Sequence, residues 1–253
     1  MIAKNTVQDL YDFLNTLAPF SAQLPWDNSG FLIGDPAKEV RTCVLAMDVT
    51  SDVIRYAESV GAQLIITHHP VIFAPIKRVT ADSNVYKLIR ADVSVISAHT
   101  NLDLAEGGVN DTLAEALGLT DIRPFENEDN IGRIGDLPET MNPADFAVHV
   151  KEKLGITADV AYVGENPVKT VALIGGAGSD YIADAVKAGA DAYVTGEVKH
   201  HEWMAAQEMN ITVVSAGHHA TEDVVFAPLI AKFAEKFPET KFLPYTSCKV
   251  KSV

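Results

Sequence analysis

Histidines and carboxylates stand at the ends of apolar runs in this sequence, where a buried strand would stop. The segment AQLIITHHPVIF, residues 62–73, ends such a run in His68 and His69. A second run ends in AHTNLD, which places His99 and Asp103 at positions i and i+4. A single histidine at a strand end is ordinarily a capped or solvated group, but two adjacent ones need a common explanation.

A third apolar run ends in AGHHATE, where Glu222 follows His218 by four residues and His219 by three. If the segment is helical, residues at i and i+4 lie on one face, and His219 points about 100° away from His218. Of the eight histidines in the chain, only His149 lies outside these motifs or the segment just after one. This distribution predicts a common site for the strand-end histidines.

Imidazoles and carboxylates together are ligands for first-row metals such as Zn, Fe, Mn, Co or Ni. One tetrahedral zinc takes about three or four protein ligands. A set of five donors that includes carboxylates able to bridge suits two divalent ions about 3.5–4 Å apart. The candidate ligands are His68, His69, Asp103, His218 and Glu222. Spacing alone does not choose between the two histidines of AGHHATE.

The motifs belong to an alternation of short apolar runs with longer helical patterns. The predicted strands lie near residues 43–48, 63–67, 93–98, 169–174, 191–195, 211–216 and 241–246. The predicted helices lie near residues 51–60, 82–91, 109–117, 144–154, 179–188, 199–209 and 220–236. This alternation predicts βα units, largely parallel sheets and an α/β fold. Ligands gather at the carboxyl ends of parallel strands, which is where the histidines stand.

The chain carries an apparent internal duplication. Residues 44–69 align with residues 171–197, and the segment 93–99 corresponds to 211–218. The shared spacing is the stronger part of this signal. The alternative is chance similarity between alanine-rich βα units, because the matched residues are common ones. We expect two similar three-layer α/β domains.

The polar stretch 125–143 is the best candidate for the junction between the two domains. We assign residues 1–125 to the first domain and residues 126–239 to the second. The C-terminal segment 240–253 could complete the first domain.

Composition narrows the class of protein. With 47% hydrophobic and 21% charged residues, the chain should fold into a globular protein. A formal net charge of −14 repels phosphate backbones and disfavours nucleic-acid binding. Cys43 and Cys248 have no partners at metal-ligand spacing, and Cys43 should be a buried thiol. The N-terminus lacks the pattern of a signal peptide and no segment approaches a membrane span, so we expect a soluble cytoplasmic protein.

The motif GGAGSD, residues 175–180, has two interpretations. It follows a predicted strand and opens a predicted helix, so its backbone N–H groups could hold a phosphate. It lacks the full GxGxxG pattern and the Walker lysine, which favours a tight structural turn. A dinucleotide-dependent oxidoreductase built on this motif is the least favoured hypothesis. HExxH and GxSxG motifs are absent from the sequence.

Two segments beside the histidine motifs have open roles. The loop 70–80 could be a lid whose Lys77 and Arg78 bring positive charge to the site, or a packing loop with solvated charges. The segment GEVKHHE contributes Glu197, His200 and His201, which could support the ligands or contact a substrate. The alternative for His200 and His201 is a solvent-facing position.

Six motifs together resemble a known family. In chain order they are LPWDNSGFLIGD, THHPVIF, AHTNLDLAEGGVND, GGAGSD, TGEVKHHE and GHHATE. Over nearly the whole chain they resemble the bacterial GTP cyclohydrolase 1 type 2 homologues, also called NIF-three-like proteins. The resemblance implies a two-domain α/β protein with a dinuclear metal centre where the domains meet. It also implies a toroidal homohexamer whose metal sites face an inner cavity.

The resemblance assigns roles to individual residues. Carried over motif by motif, the implied ligands are His68, His69, Asp103, His218 and Glu222. His99 would then lie beside the metals without being a ligand. Some members of this family carry a large domain inserted in mid-chain, and this sequence has only the short polar junction there.

The leading hypothesis is a metal-dependent hydrolase that acts on a nucleotide or another phosphate-bearing small molecule. Two cations would acidify water and polarise the substrate. His99 is the candidate for proton transfer, because histidine titrates near neutral pH and lies four residues from a ligand. Lys77 or Arg78 could neutralise phosphate. The alternative is a non-catalytic metal-binding protein or a regulatory hexameric scaffold, which needs the same ligands.

Overall fold

A computed structural model describes residues 4–157, 159–246 and 248 of the chain. The strands are β1 Gly30–Ile33, β2 Thr42–Ala46, β3 Leu64–Thr67, β4 Ser94–Ser97, β5 Thr120–Arg123, β6 Arg133–Met141, β7 Val160–Tyr162, β8 Val168–Ile174, β9 Ala192–Thr195, β10 Thr212–Ser215 and β11 Lys241–Pro244. The α-helices are α1 Val7–Leu17, α2 Ser51–Ser59, α3 Asn84–Ala91, α4 Thr100–Leu104, α5 Val109–Ala116, α6 Pro143–Leu154, α7 Ile182–Lys187, α8 His200–Met209, α9 His218–Glu222 and α10 Phe226–Lys236. Short 3₁₀ turns lie at Phe20–Ala22, Ser179–Tyr181 and Asp223–Val225.

Several helices begin where a short polar side chain satisfies the exposed backbone N–H groups. Thr6 accepts a hydrogen bond from the N–H of Asp9 at the start of α1, and the Asp9 carboxylate accepts from the N–H of Thr6. Thr50 caps α2 and Asn142 caps α6, each by accepting a hydrogen bond from a backbone N–H of the first turn. Such caps stabilise a helix by about 0.5–2 kcal/mol each. Local sequence therefore fixes these helix starts.

The first compact unit runs up to Ala105 and resumes at Phe226. Its five strands lie in the order β1-β4-β3-β2-β11, with all neighbours parallel except β1 and β4. All four residues of β3 are buried, as expected of a strand that is covered on both faces of a parallel sheet. Val44, Ile65 and Val95 from the three central strands share one core cluster.

The second unit runs from Glu106 to Val225. Its six strands lie in the order β5-β6-β8-β9-β10-β7. Strands β8, β9 and β10 are parallel, whereas β5, β6 and β7 pair antiparallel with their neighbours. Leu173, Val194 and Val214 from the parallel strands pack in one core with Leu113 of α5 and Phe146 of α6.

The α/β class and the duplication are supported by the two sheets. Each contains three consecutive parallel strands that lie side by side, β2-β3-β4 in one and β8-β9-β10 in the other. In each, an antiparallel strand flanks the third strand of the set, β1 beside β4 and β7 beside β10. The expectation of largely parallel sheets holds for the first unit and is wrong for the second, because β5, β6 and β7 are antiparallel.

The polar stretch 125–143 is not a linker, because it contains β6. This strand pairs with β8 from Arg133 opposite Leu173 to Met141 opposite Val168. Its first half is mostly buried and its second half mostly exposed, which hides the strand among polar residues. The unit boundaries also differ from the expected ones at 125 and 239, and fall after Ala105 and Val225.

Packing explains where the boundaries fall. In the second unit, α5 packs in the core and β5 pairs with β6. In the first unit, α10 packs on β11 through the rings of Phe233 and Phe242, whose centroids are 5.3 Å apart. Strand β11 joins the first sheet beside β2.

Candidate metal centre

Three histidines meet at one edge of the first sheet. His68 and His69 directly follow β3, and His99 follows β4 after one residue. Strands β3 and β4 are parallel neighbours with Thr67 opposite Ser97, so their carboxyl ends lie together. One ligand atom from each of the three histidines lies within 4.8 Å of the others. This group could hold a metal ion, and it includes His99, which the sequence did not count among the ligands.

Each of these imidazoles is oriented through its Nδ1 atom. His68 Nδ1 lies 2.9 Å from the carbonyl oxygen of Ala98, and His69 Nδ1 lies 2.7 Å from Asp48 Oδ1. A carbonyl or carboxylate oxygen only accepts, so Nδ1 donates and Nε2 of the neutral ring carries the lone pair. Metal-ligating histidines are held by the same arrangement, which fixes the tautomer and the ring orientation.

His99 is held by Asp27, a buried carboxylate that sequence reasoning did not single out. Its Nδ1 lies 2.9 Å from Asp27 Oδ1. The second carboxylate oxygen accepts from the Ser29 hydroxyl at 2.9 Å and from the N–H and hydroxyl of Thr100 at 3.0 and 2.5 Å. Burial alone would raise the pKa of Asp27, but the hydrogen bonds from His99 and Thr100 hold it well below its usual range. Asp27 is therefore ionised at neutral pH.

Asp103 stands on the short helix α4, one turn after His99. Its side chain is only 11% exposed, and its Oδ1 lies 3.5 Å from His68 Nε2. The i, i+4 spacing of AHTNLD thus turns the carboxylate towards the histidine cluster of β3. The first unit brings together the predicted site residues His68, His69, His99 and Asp103.

The second unit presents its own histidine and carboxylate. His218 and Glu222 are the first and last residues of α9, and His218 Nε2 lies 3.1 Å from Glu222 Oε2. His218 Nδ1 lies 2.8 Å from Oε1 of Glu197, which follows β9. Glu197 therefore orients His218. Support of a ligand was one of the two roles that the sequence left open for Glu197.

The structure distinguishes the two histidines of AGHHATE. His218 shares a face with Glu222, whereas His219 Nε2 lies 3.7 Å from Asp223 Oδ1. Both pairs are spaced i, i+4 in the sequence, so the sequence pattern fits either. The Nδ1 contact with Glu197 makes His218 the histidine that resembles His68, His69 and His99.

Glycines leave the space that Glu222 and His218 occupy. Gly176 has φ +65°, and a Cβ added there would lie 2.1 Å from Glu222 Oε1 and 3.2 Å from His218 Nε2. A Cβ on Gly196 would lie 2.6 Å from the His218 Cα. Side chains at these positions would displace the candidate ligands.

The motif GGAGSD forms a tight structural turn. The N–H groups of Gly175, Gly176 and Gly178 donate to the side chains of Asn110, Thr221 and Thr195. These donors are consequently engaged within the protein, which removes support from a phosphate cradle and from a dinucleotide-dependent oxidoreductase.

The two segments beside the histidine motifs, GEVKHHE and the loop 70–80, are mostly exposed. His200 and His201 face solvent, which is the alternative that the sequence left open. Residues 73–80 of the loop are exposed, including Lys77 and Arg78. Cys43 is a buried free thiol as expected, and burial raises its pKa so that it stays protonated.

The donor set fits a transition-metal site. It combines neutral imidazoles, whose Nε2 atoms carry the lone pair, with buried carboxylates and no thiolate, which suits Zn, Fe, Mn, Co or Ni.

Among the residues that the structure describes, no helix is long and apolar enough to cross a membrane.

Comparison with known proteins agrees with this architecture. The family model for Duf34/NIF3 (NGG1p interacting factor 3) matches residues 5–250. A Clostridium perfringens protein named GTP cyclohydrolase 1 type 2 homolog is 34% identical over 244 residues, which cover 92% of this chain and 91% of that protein. A Methanocaldococcus jannaschii protein of the same name is 32% identical over 235 residues, covering 85% and 89%. The crystal structure of Staphylococcus aureus hypothetical protein SA1388 is 26% identical with a TM-score of 0.89, covering 99% of this chain and 100% of that one.

Proposed function

The chain belongs to the Duf34/NIF3 (NGG1p interacting factor 3) family, and we propose that it is a dinuclear metal-dependent hydrolase. Its substrate would be a nucleotide or another phosphate-bearing small molecule. The observation that supports this function best is the shared orientation of four histidines. His68, His69, His99 and His218 all direct Nδ1 at a carbonyl or carboxylate oxygen.

In this proposal the predicted ligands bind a pair of divalent cations. The ligands are His68, His69, Asp103, His218 and Glu222. When bound, the cations supply Lewis acidity that polarises a substrate oxygen and acidifies water. Asp48 and Glu197 hold His69 and His218 in the ligand orientation.

His99 is the proposed group for proton transfer. The ionised carboxylate of Asp27 accepts from its Nδ1–H, so the lone pair is on Nε2, which can accept a proton. The same carboxylate stabilises the imidazolium that forms, as a buried aspartate does behind a catalytic histidine. This hydrogen-bonded pair supports proton transfer by His99, a role that an enzyme requires and a scaffold does not.

The nucleotide part of the proposal comes from the relatives that are named GTP cyclohydrolase 1 type 2 homologs. Lys77 and Arg78 on the exposed loop would attract a phosphate group in a chain whose net charge is −14.

Metal content per chain tests the centre. Protein purified without chelator or nickel resin is analysed for elements beside Asp103→Ala and the matched pair His218→Ala and His219→Ala. We expect about two ions per chain, retained in His219→Ala and reduced in the other two variants. Metal-free protein that takes up none of Zn, Mn, Fe or Co would contradict the proposal, and so would equal losses from both histidine variants.

His99→Ala separates an enzyme from a scaffold. We expect this variant to keep its metal and to lose activity by at least about 10²-fold, the usual contribution of a general base, on nucleotide and phosphoester panels. Loss of metal from His99→Ala would make His99 a ligand instead. A fully loaded wild-type protein without turnover on these panels would favour the regulatory scaffold.

A further inference from the structure

Two exposed aromatic side chains flank His99 in the first unit. The rings of Trp26 and Phe73 are 6.0 Å apart at an interplanar angle of 54°. Their centroids lie 6.0 and 6.3 Å from the His99 imidazole. Trp26 is 55% exposed and Phe73 is 53% exposed, although burial of such rings stabilises a fold. Folding of the unit therefore does not account for their position.

The backbone that carries these rings is anchored. Trp26 immediately precedes Asp27, whose side chain is fully buried. The Asn28 amide donates to the carbonyl oxygen of Ile72 at 2.6 Å, which ties the two aromatic segments together. Ile72 in turn packs against the core of the unit. The rings thus project from fixed points of the backbone, so little conformational entropy would be lost when a ligand binds them.

The loop that carries Phe73 contains two positive charges in an acidic protein. The loop 70–80 contains Lys77 and Arg78 and no carboxylate, while the whole chain carries −14. Both cations are exposed, and neither is paired with a carboxylate in the part of the chain that the structure describes. A ligand that combines a planar ring with negative charge is complementary to these features.

We propose that Trp26 and Phe73 form a stacking subsite for the heterocyclic base of a nucleotide, whose phosphate is attracted by Lys77 and Arg78. This inference rests on the proposed hydrolase function and narrows its substrate class from phosphate-bearing small molecules to nucleotides. Every base has a π-face, so stacking on aromatic side chains tolerates different bases. The subsite selects a class of ligand and holds it next to His99.

Intrinsic fluorescence reads this subsite directly. Trp26 and Trp203 are the two tryptophans of the chain, so Trp203→Phe leaves Trp26 as the sole reporter. The probes are GMP and ribose 5-phosphate, which lacks the base. We expect GMP to quench Trp26 and to bind more tightly than ribose 5-phosphate, which should leave the fluorescence unchanged.

A matched pair of loop variants in the Trp203→Phe background assigns the effect to the ring. Phe73→Ala should weaken GMP binding about 5- to 150-fold, as measured by calorimetry. Ile76 is 49% exposed on the same loop, and Ile76→Ala should change GMP binding by less than about twofold. Neither variant should alter the affinity for ribose 5-phosphate.

Three results would overturn the subsite: equal affinities for the two probes, no quenching of Trp26, or equal losses in Phe73→Ala and Ile76→Ala. Metal content of the same preparations keeps the two proposals apart. Metal-loaded protein that binds both probes equally would contradict the subsite proposal alone. Protein that prefers GMP but never takes up metal would contradict the hydrolase proposal and support the subsite.

Discussion

Single residues around the histidines differ in how directly they would touch a metal. His69 is a candidate ligand, whereas Asp48 Oδ1 lies 2.7 Å from the Nδ1 atom of His69, and the Asp48 side chain is 49% exposed. A carboxylate in this position orients the ring and raises its basicity without binding the ion itself. Asp48 and Glu197 play equivalent parts in the two units, each after or beside a parallel strand of its sheet.

Asp48→Ala should weaken metal binding without abolishing it, because His69 loses its orientation but remains. We expect an affinity loss of about 10- to 100-fold, typical of a lost second partner of a ligating histidine. Competition with a chromogenic chelator measures it. Asp52→Ala is the control, since Asp52 pairs with Arg55 on α2. Equal affinities of the two variants would show that Asp48 does not support the metal.

Within the elements, the turn after β8 combines an unusual backbone with close packing. Gly176 has φ +65° and lies against Glu222, whereas Gly189 has φ +87° with open space where a Cβ would stand. Alanine at either position adopts a left-handed backbone at a cost of about 1–2 kcal/mol. Only at Gly176 does the added Cβ also displace a candidate ligand.

Gly176→Ala should therefore lower both stability and metal content, while Gly189→Ala lowers stability alone. Thermal unfolding and elemental analysis of the two variants measure this difference. If Gly176→Ala kept full metal content, the close approach of the turn to Glu222 would have no role in the centre.

Helix α8 provides a pH-dependent term in stability. Glu202 is buried, and its carboxylate accepts from the Lys199 N–H at 2.7 Å. Burial alone would raise its pKa, but hydrogen bonds from Ser179 and Lys199 lower it from 4.5 to about 2. A carboxylate with a depressed pKa contributes stability above its unfolded pKa and loses it as the pH falls towards the folded value.

Glu202→Gln should thus destabilise the protein at pH 7 by about 1.5–3 kcal/mol, the range for a hydrogen bond to a charged group. The difference from wild type should shrink between pH 4.5 and about 2. Urea unfolding at several pH values measures it. A difference that stays constant across this range would mean that the charge of Glu202 does not contribute.

The strands and helices that carry the site were predictable because their signals are local. β3, β4, β9 and β10 are buried throughout or nearly so, which gives continuous apolar runs, and the site motifs begin where these runs end. β6 was missed because half of it is exposed, so neither alternation nor an apolar run marks it. Asp27 was missed because its contact with His99 joins residues that are 72 positions apart, and no spacing rule covers such a pair. Residues 249–253 of the expected C-terminal segment lie outside the described residues, as does residue 247.

On the scale of the whole molecule, the resemblance to NIF-three-like proteins predicts a homohexamer. The net charge of the chain should make the assembly of this hexamer depend on salt. Each chain of 27.3 kDa carries a formal charge of −14, so six copies accumulate like charge that opposes association. Salt screens this repulsion over about 10 Å at 0.1 M ionic strength.

We therefore expect light scattering to give six times the chain mass at physiological salt, with dissociation favoured as both salt and protein concentration fall. Bound divalent cations offset part of the negative charge, so chelator-treated protein should dissociate at a higher salt concentration than loaded protein does. A constant monomer mass under all of these conditions would rule out the hexamer, and a hexamer insensitive to salt would show that apolar contacts outweigh the charge.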